Sequence, residues 1–192
     1  EPDGSKKEFV LYTLKKGTEK VVALFLSPAS EKGRSTLRVG DNMWLYIPNV
    51  GRPLRITSLQ SVTGGIFNNS DILRVDYQAE YDALSLKKLD EKGPTGRSLF
   101  QLNLKAKTGS VAYDKLEMIV DPVLKTPVRI RAIAASGILI KTLYFKKTTD
   151  FGQGIKRPAI IETDSPLYKG YKSVMIFAGI KSRKLNAEVF TT

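Results

Sequence analysis

The sequence predicts a protein dominated by β-structure, built as an antiparallel meander that is closed or half-closed into a barrel. Short runs rich in β-branched, aliphatic and aromatic residues recur along all 192 residues. Turn-forming Gly, Pro, Asn and Asp separate these runs at short intervals. Helical periodicity is weak and confined to one window. Short polar turns favour antiparallel sheets, because parallel strands need crossovers of about a dozen residues or more.

The first group of predicted strands is divided by turns with recognisable chemistry. Lys15-Lys16-Gly17 and Gly40-Asp41-Asn42 place glycine and Asx residues where tight turns need them. The second of these turns predicts a β-hairpin with a three-residue turn. The strands predicted in this part of the chain are Glu8–Leu14, Lys20–Leu26, Ser35–Val39, Met43–Ile47 and Leu54–Thr57.

The best helical window is Asp71–Leu86. It carries Leu73, Tyr77, Tyr81 and Leu84 at mixed spacing. The window therefore predicts one short helix that leads into a strand.

The second group of predicted strands follows this window. Glu91-Lys92-Gly93-Pro94, Asp121-Pro122 and Ser136-Gly137 mark turns between them. The strands predicted here are Tyr81–Leu89, Ser98–Lys105, Lys115–Val120, Val128–Ala134, Ile138–Lys146, Ala159–Thr163 and Ser173–Ile180.

The pattern of faces differs between strands. Ser98–Lys105 alternates, with apolar residues on one side and Gln101, Asn103 and Lys105 on the other, which predicts a sheet with one wet face. Lys20–Leu26 and Met43–Ile47 are apolar on both sides. Both faces of those strands should then be covered. The hydrophobic core covers one face, and a helix, a loop, a partner or a hydrophobic ligand covers the other.

Composition excludes several classes of chemistry. The chain contains no histidine and no cysteine, so Ser-His-Asp and Cys-His catalysis, His or Cys metal sites and disulfides are excluded. Lys and Arg number 31 and Asp and Glu 19, which gives a formal net charge of +12. This charge indicates an anionic partner such as nucleic acid, anionic lipid or an acidic protein, or serves solubility alone.

Carboxylates cluster once along the chain, at Asp71, Asp76, Glu80 and Asp82. Two facing carboxylates can act as general acid and base, which keeps a carboxylate-dependent hydrolase as one alternative. Their spacing matches no calcium loop, and the main expectation is a solvated surface. We therefore predict no catalytic residue, no metal site and no cofactor.

The most distinctive segment runs from Leu37 to Pro48 and contains the hairpin strand with Trp44 and Tyr46 on one face. With its flanks, this segment resembles the LolA/LolB-like superfamily of outer-membrane lipoprotein-sorting proteins, in an uncharacterised branch. The Gly-Asp-x-x-Trp-x-Tyr-x-Pro pattern is its most specific part. The other matching pieces are Leu26-Ser27-Pro28-Ala29, Lys32-Gly33, Arg52, Arg55-Ile56, Phe67, Asn69-Ser70-Asp71, Tyr113-Asp114-Lys115-Leu116, Pro127-Val128-Arg129, Lys141-Thr142-Leu143 and Glu188-Val189-Phe190-Thr191.

The resemblance implies an incomplete antiparallel β-barrel, a half-barrel with one or few short helices, around a hydrophobic cavity. Residues 1–192 would form this single domain, without the family's N-terminal helix and first strand. The well-known carriers have Arg-Pro where this chain has Ser27-Pro28. That arginine helps close the lid in the family, so its gated release cycle does not carry over directly.

The function implied by the resemblance is a non-enzymatic periplasmic carrier that shelters the acyl chains of lipids or lipoproteins. Its signal peptide would have been removed. An inner-membrane transporter or an outer-membrane acceptor would be its protein partner, and an anionic membrane surface would attract its basic rim. The alternative from another class is a basic β-barrel that binds nucleic acid, although no nucleic acid is expected. The residues predicted to line the cavity are Phe25, Leu37, Trp44, Tyr46, Phe67, Leu143 and Phe145.

Overall fold

The computed structural model describes residues 1–61, 63–73 and 76–191. These residues form two compact units. The first comprises Asp3–Asp76 with residue 1 and the C-terminal segment Lys184–Thr192, and the second comprises Tyr77–Arg183 with residue 2. The grouping of residues 1–192 into a single half-barrel domain stays a prediction.

A five-stranded antiparallel sheet, sheet 1, organises the first unit. Its strands follow one another in chain order, so each neighbouring pair is a hairpin. The strands are β1 (Val10–Lys16), β2 (Lys20–Ser27), β3 (Ser35–Val39), β4 (Asn42–Tyr46) and β5 (Leu54–Ile56).

The core of the first unit lies between sheet 1 and the short helix α1 (Asn69–Leu73). Val21, Ala23, Met43 and Leu73 are buried together. The alternating burial along β2 places Val21 and Ala23 on the same face, which is the face that α1 covers. Burial of these side chains holds a helix that is too short to be stable alone.

Local hydrogen bonds start α1. The backbone N–H of Asn68 donates to Oδ2 of Asp71 over 2.9 Å, and the N–H of Asp71 donates to Oδ1 of Asn68 over 3.1 Å. This reciprocal pair is a capping box, which satisfies two backbone donors at the start of the helix. Asp71 therefore has a structural task in the first turn of α1.

A C-terminal 3₁₀-helix (Ala187–Phe190) completes the first unit. It lies against β2 and β3, and Phe190 is buried. The segment Glu188-Val189-Phe190-Thr191, one of the pieces that resemble the family, thus contributes Phe190 to the core of this unit.

A seven-stranded antiparallel sheet, sheet 2, organises the second unit. The short helix α2 (Tyr77–Glu80) leads directly into its first strand. The order across the sheet again follows the chain. The strands are β6 (Tyr81–Lys92), β7 (Ser98–Ala106), β8 (Lys115–Asp121), β9 (Thr126–Ile133), β10 (Leu139–Asp150), β11 (Lys156–Asp164) and β12 (Lys172–Ile176).

One buried carboxylate, Asp121, ties two turns together at the same end of sheet 2. It accepts hydrogen bonds from Oγ1 of Thr95 at 2.7 Å and from the backbone N–H of Val123 at 2.9 Å. A Cβ on Gly93 would lie 2.7 Å from Oδ2 of Asp121 and 2.4 Å from Cδ2 of Leu99. Glycine is therefore required where the turn after β6 passes over this carboxylate.

The predicted fold class is confirmed. Every strand pair in the described part of the chain is antiparallel, and neither sheet closes into a barrel. The predicted helical window is resolved into α1 and α2, while Arg74 and Val75 within it lie outside the described residues. Among the residues that the structure describes, no helix is both long and apolar enough to cross a membrane.

The observed strand ends differ most from the predicted ones in the hairpins of sheet 2. β10 continues to Asp150 because Thr148 and Thr149 pair with Pro158 and Arg157 of β11. β12 ends at Ile176, four residues before the predicted end.

Candidate functional site

Sheet 2 carries an apolar row on one face. Register places Leu86 opposite Leu102, Leu102 opposite Met118, Met118 opposite Ile130, and Ile130 opposite Leu143. Because paired residues in neighbouring strands project to the same side, these five side chains form one continuous strip across β6 to β10. We call this strip the apolar row.

Burial varies along the apolar row. Ile130 and Leu143, in the middle of the sheet, are buried. Leu102 is half-buried, and Leu86 on the edge strand is 65% exposed. The strip therefore runs from an ordinary core to an uncovered apolar edge.

The opposite face of sheet 2 is polar. The neighbouring row pairs Ser85 with Asn103, Asn103 with Glu117, and Glu117 with Arg131. The Nδ2 of Asn103 donates to Oγ of Ser85 over 2.8 Å, and Arg131 forms an ion pair with Glu117 at 2.5 Å. The wet face predicted for Ser98–Lys105 is confirmed in this row.

Glu162 extends the polar face toward the other edge. Its carboxylate accepts from Nζ of Lys146 at 2.7 Å and from Nζ of Lys172 at 3.0 Å. These two hydrogen bonds, the one from Lys146 above all, lower the pKa of Glu162. Sheet 2 thus carries charged and polar pairs on one face and the apolar row on the other.

Two predicted cavity residues, Leu143 and Phe145, lie on the apolar face of β10. Phe145 pairs with Ile161, which pairs with Met175, so a second apolar strip extends to the edge strand β12. The residues of the apolar row on β6 to β9 were not among the predicted cavity residues. The alternation in Ser98–Lys105 already indicated Leu102, but the register that joins the strands is not visible in the sequence.

Three predicted residues lie on one face of sheet 1. Leu37 pairs with Trp44, and Tyr46 follows Trp44 two positions along β4. Val22 pairs with Leu37 from the other side. Leu37 is nearly buried, Trp44 is half-buried and Tyr46 is 39% exposed. This face of sheet 1 is apolar at its centre and open at its edge.

The remaining two predicted residues lie elsewhere in the first unit. Phe25 is fully buried. It lies on the opposite face of sheet 1 from Trp44, because side chains alternate along β2 and Val22 shares the face of Leu37 and Trp44. The guanidinium of Arg34 lies 5.2 Å from its ring centroid. Phe67 is buried in the segment before α1. The structure therefore groups Leu37 with Trp44 and Tyr46, and Leu143 with Phe145, but separates Phe25 from Trp44.

The carboxylate cluster does not assemble a metal site within the described residues, where no group of three or more Asp and Glu side chains is placed to hold an ion. Asp71 caps α1 in the first unit. Asp82, in the second unit, is exposed and lies 3.9 Å from Nζ of Lys107.

Two clefts lie within the units, one in each, and charged residues line both. One, of about 280 Å³, lies at the turn between β7 and β8 and is lined by residues that include Lys105, Lys107 and Lys115. The other, of about 470 Å³, is lined by residues that include Glu31 and Arg34. Neither cleft has the apolar lining that an acyl chain needs.

A protein-family model described as "Uncharacterized protein" matches residues 17–192. A crystal structure of a LolA superfamily protein from Nitrosomonas europaea superimposes with a TM-score of 0.86 at 28% sequence identity, covering 100% of this chain and 84% of that chain. This chain belongs to that uncharacterised family, within the LolA superfamily. None of the curated proteins matches the sequence significantly.

Two further solved structures share the fold of this LolA-like chain. An outer membrane lipoprotein-sorting protein domain from Vibrio parahaemolyticus has a TM-score of 0.71 at 20% identity, over 95% of this chain and 82% of that one. A DUF1329 family protein from Desulfovibrio piger has a TM-score of 0.69 at 20% identity, over 95% of this chain and 83% of that one. The predicted family is confirmed, and the LolA-like fold with it.

Proposed function

We propose that this LolA-like chain is a periplasmic, non-enzymatic carrier that binds the acyl chains of a lipid or lipoprotein. The observation that carries the proposal is the apolar row of sheet 2, which begins at an exposed leucine and ends in the core. A surface of this kind gains affinity in proportion to the apolar area it buries, at about 25 cal/mol per Å², and needs no polar contact.

The two faces of sheet 2 support a carrier over a catalyst. The polar face is occupied by internal hydrogen bonds and ion pairs, such as that between Glu117 and Arg131. None of the five side chains of the apolar row carries a charge. The fold shared with a lipoprotein-sorting domain of Vibrio parahaemolyticus favours the same proposal.

Location and partners follow from the same proposal. A carrier of acyl chains between two membranes works in the periplasm, and it exchanges its cargo with an inner-membrane transporter or an outer-membrane acceptor. We propose as cargo contacts on sheet 2 the apolar row together with Phe145, which with Leu143 was expected from the sequence. On sheet 1 we propose Leu37, Trp44 and Tyr46 as an apolar contact surface of its own. Phe25 and Phe67, which were expected with them, are buried elsewhere in the first unit.

A fatty-acid titration tests the proposal. The wild-type chain should bind a fluorescent fatty acid saturably, and native mass spectrometry of the purified protein should detect lipid. Leu86→Asp places a charge on the apolar row and should weaken fatty-acid binding at least about tenfold, because a carboxylate on that surface must be desolvated. Leu86 and the preceding Ser85 are both exposed, so the fold should tolerate a substitution at this point of β6.

The matched control is Ser85→Asp, which adds the same charge to the same strand on the polar face. Its affinity should stay within about twofold of wild type, since the new carboxylate remains hydrated. Equal losses in both variants would show that net charge, and not the apolar row, governs binding. No binding by the wild type would refute the proposed function.

A further inference from the structure

Four exposed apolar side chains lie on two neighbouring turns at one end of sheet 2. Ile138 precedes β10, and Leu167, Tyr168 and Tyr171 lie between β11 and β12. Ile138, Leu167 and Tyr168 are 57%, 58% and 51% exposed. We call these four side chains the turn patch. Single exposed apolar residues are ordinary, but four on adjacent turns form a surface that needs a partner.

Hydrogen bonds hold the two turns together. The hydroxyl of Ser165 donates to the carbonyl of Ile140, which joins the start of the β11–β12 turn to the start of β10. Because β10 and β11 are paired neighbours, the turn that carries Ile138 lies beside the turn that carries Leu167. The turn patch is therefore one local surface.

The turn between β11 and β12 is preorganised. The N–H of Tyr168 donates to the carbonyl of Ser165, and the N–H of Tyr171 donates to that of Tyr168, each over 3.1 Å. The rings of Tyr168 and Tyr171 pack edge to face, with centroids 6.4 Å apart. A rigid turn presents its side chains without a further loss of conformational entropy on binding.

Two lysines lie at the turn patch. Lys169 lies within the same turn, and Lys172 follows it. At the same end of the sheet, Lys105 and Lys115 are direct cross-strand partners on β7 and β8. Lys105 also faces Asp82 on β6, so part of this charge is compensated within the sheet.

Four carboxylates lie at this end of the sheet, and most of them have a partner. Asp114 accepts from the backbone N–H of Ala135 over 2.8 Å, and Asp82 lies 3.9 Å from Nζ of Lys107. Glu162 pairs with Lys172, and Asp164 is exposed. The exposed Lys169 lies within the turn patch itself, and the chain as a whole carries a net charge of +12.

From this geometry we infer that the turn patch docks the protein on the surface of an anionic lipid bilayer. Tyrosines with an apolar ring and a polar tip suit the headgroup level, leucine and isoleucine suit the acyl boundary, and lysines attract anionic headgroups. The inference rests on the proposed function only in the choice of a bilayer over a protein as the partner.

Vesicle co-sedimentation tests the inference. The wild type should bind vesicles of phosphatidylcholine with about 30% phosphatidylglycerol, and the double variant Leu167→Ser, Tyr168→Ser should bind about tenfold more weakly because two membrane-inserting side chains are lost. The control is Val123→Ser, at a 60% exposed apolar side chain on the β8–β9 turn at the opposite end of sheet 2. It should bind like wild type. Equal binding by wild type and the double variant would overturn the inference.

Insertion can be observed directly. Trp44 is the only tryptophan, so a chain with Trp44→Phe and Tyr168→Trp reports the turn alone. Its emission should shift to the blue on adding the same vesicles and should be quenched by brominated lipid. An emission spectrum that does not change when vesicles are added would mean that the turn patch binds a protein or nothing. This result would refute membrane docking.

The two proposals fail separately. Fatty-acid binding in solution, without vesicles, should be unchanged in the Leu167→Ser, Tyr168→Ser variant, which supports distinct docking and cargo surfaces. A chain that docks through the turn patch but takes up no fatty acid would refute the proposed function and leave the docking inference intact. Loss of fatty-acid uptake in the turn-patch variant would overturn the separation of the two surfaces.

Discussion

Trp44 is the residue that reports most directly on the face of sheet 1. It is half-buried, it pairs with Leu37, and it shares its face with the more exposed Tyr46. A ring in this position has packing partners on one side and open space on the other. It therefore differs from Phe25, which is buried and in aromatic contact with Phe9 at a centroid distance of 6.2 Å.

Addition of a long-chain fatty acid should shift the Trp44 emission to the blue, saturably, as water leaves the ring. Acetate, which has the same carboxylate and no acyl chain, serves as the control ligand and should cause no shift. Trp44→Ala should cost less than the roughly 3–5 kcal/mol that removal of a fully buried aromatic side chain costs. A large loss of stability with no spectral response to any lipid would place Trp44 in the closed core and out of the cargo site.

At the scale of elements, the turns of sheet 2 depend on Asp121. Burial acts to raise its pKa, but hydrogen bonds from Thr95, Leu124 and Val123 prevail, and the pKa is lowered below 3.8. A lowered pKa in the folded state means that the ionised carboxylate stabilises the fold above its ordinary pKa. This stabilisation is lost as the pH falls through the lowered value.

Asp121→Asn should destabilise the chain by about 2–4 kcal/mol near neutral pH, since an amide replaces a charged acceptor of several hydrogen bonds. Urea unfolding near pH 7 and again near pH 3 should show the difference between variant and wild type shrinking in acid, because protonation removes the wild-type advantage. The control is Asp164→Asn, at an exposed position at the end of β11. It should be within about 0.5 kcal/mol of wild type at either pH. A pH-independent penalty at Asp121 would contradict the assigned cause.

The whole molecule carries a net charge of +12, and the two sheets combine apolar surfaces with charged edges. Charge attracts anionic membranes over about a Debye length, whereas apolar contact does not depend on screening. Docking and cargo binding should thus respond to salt in different ways.

Binding to phosphatidylglycerol-containing vesicles should weaken clearly between about 50 and 500 mM salt, while binding of a neutral lysolipid should hardly change. Co-sedimentation and fluorescence titration across this series measure both. Equal salt sensitivity of the two ligands would rule out the separation of charged rim and apolar surface. Tight salt-dependent retention of oligonucleotides on a filter would instead favour the nucleic-acid alternative.

The sequence alone determined the strands, their antiparallel order and the wet face of sheet 2. Turn residues such as Gly40-Asp41 act locally, and a meander of hairpins needs only such local signals to set strand order. The turn predicted there to have three residues has two, since Val39 pairs with Asn42. The capping box of α1 at Asn68 and Asp71 was not predicted, although it depends on residues only three positions apart. Period-two alternation correctly placed Trp44 and Tyr46 on one face of a strand.

Only the tertiary structure decided which of these faces are covered. Alternation says which side chains share a face, but it cannot say what packs against that face, because burial depends on contacts far apart in the chain. Register across the strands of sheet 2 joined Leu86 to Leu143 in one strip. Packing buried Phe25 and left Leu86 and Leu167 exposed to water, a difference that their shared apolar character does not predict.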